Sequence, residues 1–303
     1  MSAVDPFAAL LNRRLLLVTG KGGIGKSLCA AALGQLAASR GKRVLIVEAA
    51  GDAAIPHLFG RKAGLHVETP MAPNLATINL EPAGNFRDYV VKHLGQPRLF
   101  DKVFSNRVVQ SFINAIPGFA EVMLLGRLFY ECELQATPPD LVIFDGYASG
   151  HFLSLMTTPD AVLESDLGGP LAKEVTRVKQ FLSNAEKCAS IYVTVAEELV
   201  VSECLEFLPL LRQKSPAVPA ALFINRLPAV AEPKGGDVNA AVDYWNRRAA
   251  GSHSALKHLL AGVQALAAAG MPFSVVQLAE LGFVDEPLPV DFAATWLKGA
   301  PLG

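Results

Sequence analysis

Eight residues near the start of the chain, Gly20-Lys21-Gly22-Gly23-Ile24-Gly25-Lys26-Ser27, fit the spacing G-x-x-x-x-G-K-[ST]. Glycines let successive backbone N–H groups turn inward around phosphate oxygens. A helix starting where the loop ends adds the positive end of its dipole. Lys26 supplies a point charge for β- and γ-phosphates, and Ser27 offers a hydroxyl to Mg²⁺. Gly20, Gly22, Gly23, Ile24, Gly25, Lys26, Ser27 and Leu28, which follows in the same run, are therefore candidate nucleotide-binding residues. A second apolar run, residues 141–145 (LVIFD), ends in Asp145, an acid that can hold Mg²⁺ through water. Gly150 follows with a backbone N–H for the terminal phosphate. The chemistry implied is binding of ATP or ADP together with Mg²⁺.

Such a loop needs a strand before it and a helix after it. Residues 15–19 (LLLVT) are a short continuous apolar run, the pattern of a parallel strand buried on both faces. Residues 27–39 carry Leu28, Ala31, Ala32, Leu33, Leu36 and Ala37 at helical spacing and stop at Gly41. Residues 43–47 form a second buried strand, so strand, loop, helix and strand follow within about 35 residues, the length of a βαβ unit. Further strands are expected at 75–80, 140–144, 190–195, 221–224 and 273–276, with helical patterns between most of them and a helix over 255–269. The predicted fold class is α/β, a mainly parallel doubly wound sheet of P-loop NTPase type.

Residues 1–303 are read as a single domain of this type, with 83–135 as a helical insertion. Phe86, Tyr89, Val90 and Leu94 share one helix face, and Phe104, Val108, Val109, Phe112, Ile113 and Ile116 share another. After Pro117-Gly118, residues Phe119, Val122, Met123, Leu124, Leu125, Leu128 and Phe129 are apolar almost all round. The stretch 228–237 is rich in Pro and Gly and is expected to be an exposed loop.

Composition excludes several classes. Apolar residues make up 51% and charged residues 18%, ample for a core, so a disordered chain is excluded. A net charge of −1, from 27 basic and 28 acidic residues, leaves no basic field, and no nucleic-acid partner is expected. Cys29, Cys132, Cys188 and Cys204 form no C-x-x-C pair, which argues against a disulfide scaffold or a thiolate-rich zinc site. Apolar runs fall short of the roughly 20 residues of a membrane span, so no integral membrane segment is expected. Residues 1–6 lack the basic start of a secretory signal. A cytoplasmic protein, or one peripheral to the inner membrane, is the expectation.

Lys21 is not required by the generic loop motif. The run KGGIGKS resembles the deviant Walker A of the SIMIBI class, which includes MinD and ParA positioning ATPases, nitrogenase iron protein, arsenite-pump ATPases and the Get-type ATPases that target tail-anchored proteins. In that class the early lysine reaches across a dimer interface to the partner's nucleotide, and the resemblance gives Lys21 that role. Gly150-His151 resembles the T-G-H of switch II in the arsenite-pump and targeting members. Residues 221–226 (ALFINR) resemble their strand ending in V-N-[RQ], whose asparagine reads adenine, so Asn225 and Arg226 are implied on the base side. Val195-Ala196-Glu197 with Leu199 and Glu203 is also similar. The likeness spans about residues 14–226. Within the family it points to short bacterial ArsA-like proteins of the paired anion-transporter type, through Val47-Glu48-Ala49-Ala50-Gly51, Ile116-Pro117-Gly118 and Gly168-Gly169-Pro170.

The resemblance fails at one place. Where arsenite-pump and targeting ATPases carry S-T-D-P, with an aspartate that positions the attacking water, this chain has Ala50, which cannot orient water. Glu48 falls where MinD-type proteins keep an acid near Mg²⁺, and Asp52 lies two positions late on the same switch. Lys21, Lys26, Glu48 and Asp52 are thus the candidate catalytic residues, and Ser27, Asp145 and Glu48 the candidate metal ligands. Two readings of turnover stay open: slow or partner-dependent hydrolysis, or a hydrolysis-deficient scaffold that pairs with an active paralogue. Implied partners are a second copy or an ArsA-like paralogue, and a hydrophobic client or membrane-associated protein. The insertion either lines an apolar groove for that client or packs against its neighbours. A ParA- or MinD-like positioning role would need a basic patch or an amphipathic anchor, and residues 290–303 hold only Lys298 as a basic residue. Cys132, within the insertion, could sense metalloid or be a small buried side chain. His151 could contact a switch or serve the fold alone.

Overall fold

The computed structural model describes residues 5, 7–49, 53–82, 84–85, 87, 118–164, 169–229, 240–281 and 287–298. The apolar runs become strands β1 (Leu15–Gly20), β2 (Val44–Ala49), β3 (Thr69–Ala72), β4 (Leu75–Leu80), β5 (Leu141–Ala148), β6 (Cys188–Val195), β7 (Pro219–Leu227) and β8 (Ser274–Ala279). They form one eight-stranded sheet in the order β3-β4-β2-β5-β1-β6-β7-β8. Every neighbouring pair is parallel except β3 and β4. The α/β, mainly parallel, doubly wound reading is therefore the observed architecture.

Successive side chains on a strand point to opposite faces, so β1 feeds two cores. Leu16 and Val18 join α1 (Ala8–Leu11), α2 (Lys26–Ser39) and α3 (Ala54–Leu58) on one side. Leu15 and Leu17 join α4 (Phe119–Phe129), α5 (Ser149–Glu164), α6 (Pro170–Ser183), α7 (Glu198–Lys214) and α8 (Ala240–Ala268) on the other. Helix α2 is buried from Cys29 to Ala38 because the sheet covers one side and α9 (Phe292–Lys298) the other. Gln35 on α2, buried, fixes that cover: its Nε2 donates to the Pro289 carbonyl at 2.8 Å and its Oε1 accepts from the Ala293 N–H at 2.8 Å.

Several expectations are corrected here. Strand β3 is an antiparallel edge that the sequence reading left out, since four residues including Pro70 show no alternation. Helix α8 starts at Ala240, fifteen residues before the expected start at 255. Of the helical insertion, Val122, Met123, Leu124, Leu125 and Leu128 are buried, and the last three sit in the core with Phe144 and Phe152. In this part of the chain the apolar stretch is packed core, not a groove. The helix runs on into a π turn, Tyr130–Leu134. Arg14 donates to the Cys132 carbonyl within that turn at 2.5 Å and to the Pro139 carbonyl beyond it at 2.8 Å. Cys132 is buried and its thiol is pushed well up by burial. Phe86, Tyr89, Val90, Leu94 and the set from Phe104 to Ile116 lie outside the described residues, as do Ala50, Gly51, Asp52, Gly168 and the stretch 230–237. Among the described residues no helix is long and apolar enough to cross a membrane, and no cluster of His, Cys, Asp or Glu could hold a metal by itself.

The start of α8 is tied to the end of β8 by a two-pronged ion pair, Arg248 to Glu280 at 2.5 and 2.8 Å. Arg248 also lies over the Trp245 ring, 5.0 Å from its centre. The hydrogen bonds from Arg248, ahead of its charge, hold the Glu280 carboxyl below its ordinary value of 4.5. A lowered carboxyl stabilises the fold fully above the unfolded value, and the contribution is lost as pH falls through the folded value. Glu280→Gln is expected to destabilise the protein by about 1 kcal/mol at pH 7. Urea denaturation should show that the deficit shrinks toward zero in acid below the lowered carboxyl's titration. A deficit unchanged by acid would remove the ion pair as its source.

Candidate functional site

The glycine loop leaves β1 and enters α2 over the C-terminal ends of β6 and β7. Gly20 carries φ +148°, and a methyl there would collide with the Val193 carbonyl on β6. Ile24 is buried and plugs the loop into the core. Gly25, at φ +93°, passes against the side-chain amide of Asn225, near the C-terminal end of β7. Asn225 is itself 3% exposed. Its Nδ2 donates to the Ile24 carbonyl at 2.8 Å, and its Oδ1 accepts from the Arg226 N–H at 2.8 Å. The asparagine implied as the adenine reader thus has both polar ends engaged within the protein.

At the root of the loop, Lys26 donates to the Lys21 carbonyl at 3.0 Å. Burial holds its ammonium below the ordinary lysine value, and the nearby Asp145 opposes that shift. Asp145 accepts a hydrogen bond from Ser27 and faces the Lys26 charge. Burial is the larger effect and raises its carboxyl. Its Oδ1 is buried with no hydrogen-bond partner. A hydrated Mg²⁺ fits these residues: an orphaned carboxylate oxygen and a hydroxyl are the hard donors it takes, and water on the ion would satisfy the orphan.

Glu48 lies directly opposite Asp145 in the β2–β5 register. It is 5% exposed, its Oε1 accepts from the Ile55 N–H at 2.9 Å, and its Oε2 lies 3.3 Å from the Thr77 hydroxyl, whose one proton also faces the Ile46 carbonyl at 3.0 Å. Burial raises this carboxyl, and Asp145 raises it further. The structure therefore brings Glu48 beside the Ser27–Asp145 corner but directs its oxygens to the start of α3 and to β4.

Lys21 points away from the loop. Its Nζ lies 2.8 Å from Glu203 Oε1 and 2.7 Å from Oε2 on α7, with both side chains about half exposed. Gly150 sits in the first turn of α5, where helix N–H groups lack intrahelical partners. The next residue, His151, stacks on Tyr147 at 4.0 Å and reaches Glu121 on α4 at 3.8 Å. Leu28 packs against the core from α2, and Arg226 adopts φ +57° at the end of β7. Gly22 and Gly23 are exposed at the loop tip. Asp52 lies outside the described residues. Sequence reasoning missed Thr77 and Val193. Nothing in a lone threonine or valine on a strand signals a contact with the site, and only the strand register places them.

The two ends of the loop make opposite demands on a side chain. Gly20→Ala must displace the Val193 carbonyl and hold a left-handed backbone, which is expected to cost about 2–4 kcal/mol. Gly22→Ala meets nothing within 4 Å and has no left-handed backbone, so its stability should stay within about 0.5 kcal/mol of the parent. Thermal or urea unfolding of the two variants checks the contrast.

Comparison with known proteins places this site in a family. The profile of the family described as Anion-transporting ATPase matches residues 13–168, about half of the chain. The chain is similar to ATPase BagA of Mycobacterium tuberculosis, with 28% identity over 244 residues covering 77% of this chain and 71% of that protein. It is similar to ATPase get3 of Aspergillus terreus, with 26% identity over 158 residues covering 51% of this chain and 45% of that protein. It is also similar to ATPase ASNA1 homolog 1 of Paramecium tetraurelia, with 27% identity over 153 residues covering 50% and 45%. With its phosphate loop, its acid at the end of β5 and its mainly parallel sheet, this chain belongs to the anion-transporting ATPase family, the ArsA and Get type of nucleotide-binding P-loop ATPase.

Proposed function

We propose that this protein is a magnesium- and ATP-dependent switch that works as a dimer and couples its nucleotide state to a client or partner. The observation that carries the reading is the corner formed by Ser27, Lys26 and Asp145, with Asp145 Oδ1 buried and unsatisfied. Loop amides and the start of α2 bind the phosphates. Lys26 exchanges the Lys21 carbonyl for phosphate oxygens, and Ser27 and Asp145 hold Mg²⁺ directly and through water. Mg²⁺, when bound, neutralises charge on the β- and γ-phosphates. Glu48 adds negative charge beside that corner while anchoring α3, the element that follows the 50–52 switch.

Lys21 has further to travel. In the dimer it leaves Glu203 and reaches the nucleotide of the other protomer, a second copy of this chain or an ArsA-like paralogue. Gly150 senses the γ-phosphate at the start of α5, and the neighbouring His151–Glu121 contact passes the change to α4. Helix α4 is packed into the core, so it would act as the link to the rest of the insertion at 83–135, where a hydrophobic client or membrane-associated partner would be engaged. Such a cycle is a population shift driven by γ-phosphate contacts. It suits a cytoplasmic protein that visits the inner membrane.

Ala50 supports slow or partner-dependent hydrolysis and equally motivates a second reading, in which the chain binds ATP without turning it over and serves as a scaffold for an active paralogue. Lys26→Ala should weaken Mg–ATP binding by about 100-fold or more in calorimetry. Undiminished binding by that variant would sink the nucleotide site. Ala50→Asp should raise steady-state phosphate release by about 100-fold if a positioned water is all that is missing. A rate that does not move while ATP still binds selects the scaffold.

A further inference from the structure

The phosphate site is lopsided. In the strand order β5-β1-β6-β7-β8 the loop rises from β1. Its corner of Ser27 and Asp145 lies on the β5 side. The loop leans the other way, with Gly20 against Val193 on β6 and the Ile24 carbonyl on Asn225 of β7. A polyphosphate whose terminal end is held at the Ser27–Asp145 corner therefore sends its nucleoside toward β7 and β8. Neighbouring strands are about 4.8 Å apart, which puts β7 about 10 Å and β8 about 14 Å from β1, within the span of an extended nucleoside triphosphate. The flat base arrives over the C-terminal ends of these two strands, the edge at which parallel sheets take their ligands.

The start of α8 stands over the same place. Glu280, one residue past β8, fixes the level: its N–H donates to the Leu227 carbonyl at the end of β7 at 2.8 Å, and its carboxylate takes both prongs of Arg248. From Arg248 the helix descends to Ala255, Leu259 and Val263 in the core, so the residues ahead of Arg248 project past the strand ends. Trp245, three residues earlier, stands about 4.5 Å higher along the helix axis. Tyr244 is 60% exposed and Trp245 45%, and among the described residues they are the aromatic members of the exposed large apolar set. The Arg248 guanidinium lies 5.0 Å from the centre of the Trp245 ring, and the Tyr244 ring meets that ring edge-on at 6.0 Å. Because Glu280 holds Arg248, the indole is braced before any ligand arrives, and less ordering is left for binding to supply. We infer that Trp245, braced by Arg248, is the stacking platform for the base of the bound nucleotide. Every base has a π face, so the contact favours a nucleotide over a bare polyphosphate without telling adenine from guanine. The inference rests on the nucleotide site proposed above and deepens it.

Calorimetric titration of Mg–ATP, Mg–GTP and magnesium tripolyphosphate into the wild-type chain, Trp245→Ala and Trp245→Phe tests the assignment, with circular dichroism checking that each variant is folded. Trp245→Ala is expected to bind both nucleotides about tenfold more weakly, with their ratio unchanged and tripolyphosphate binding intact. Trp245→Phe should recover most of that loss. Nucleotide, and not tripolyphosphate, should also quench the Trp245 fluorescence, read as the difference between wild type and Trp245→Phe, since Trp296 is buried with its indole N–H on the Ala279 carbonyl. Unchanged nucleotide affinity in Trp245→Ala overturns the inference, and so does a loss shared by tripolyphosphate. A quench that grows with protein concentration at saturating nucleotide assigns the ring to a second copy of the chain and overturns it as well. A wild-type chain that binds none of the three ligands would overturn the nucleotide site itself, and the inference with it, a result distinct from each of the others.

Discussion

A strand must become a helix within a few residues while the connecting backbone keeps its N–H groups free for a ligand, and here that turn is made against two neighbouring strands. Gly20 slides past the Val193 carbonyl where no side chain would fit, and the Ile24 carbonyl meets the Asn225 amide. The loop is thus shaped by β6 and β7 as much as by its own glycines. Everything that treats the site as ready for a ligand depends on those strands ending where they do. The parallel register supplies this, because it brings the C-terminal ends of β1, β6 and β7 to one edge of the sheet.

The same edge gathers charge that a folded protein would ordinarily keep apart. Glu48 and Asp145 face each other on adjacent strands, both largely removed from water. The two acids are managed differently. Glu48 is answered by backbone and hydroxyl donors, which satisfy it without a cation. Asp145 has Ser27, the charge of Lys26 and one oxygen left over. Burial raises both carboxyls and lowers Lys26. Lys26 and Asp145 support each other's charged forms, whereas Glu48 and Asp145 oppose theirs, a local cost that the surrounding structure sustains.

Much of this was legible in the residues. The LLLVT run and the glycines after it announce β1 and the loop because a strand buried on both faces has no polar positions to hide it. Asp145 was found for the same reason, as the acid that breaks an apolar run. What periodicity could not show were contacts between distant segments. Thr77 and Val193 matter only through strand register. The long start of α8 is polar and alanine-rich, and its hold on Glu280 lies in tertiary structure. The apolar ring of α4 was ambiguous because a helix greasy on all sides is equally suited to a groove or a core, and only the packing of Leu124, Leu125 and Leu128 separates the two. Asn225 lies inside β7, two residues before the strand's end rather than closing it, and its partners depend on which way an amide points, a property no spacing encodes.

Gln35 clasps the backbone at Pro289 and Ala293, so the helix that follows the phosphate loop gets its outer cover from residues more than 250 positions downstream. During synthesis Gln35 of α2 leaves the ribosome more than 250 residues ahead of this cover. Until then a helix of alanine, leucine and cysteine lies with one greasy flank bare. A flank left bare in this way is the kind of transiently exposed apolar surface through which partly folded chains associate, and here it belongs to the helix that follows the phosphate loop.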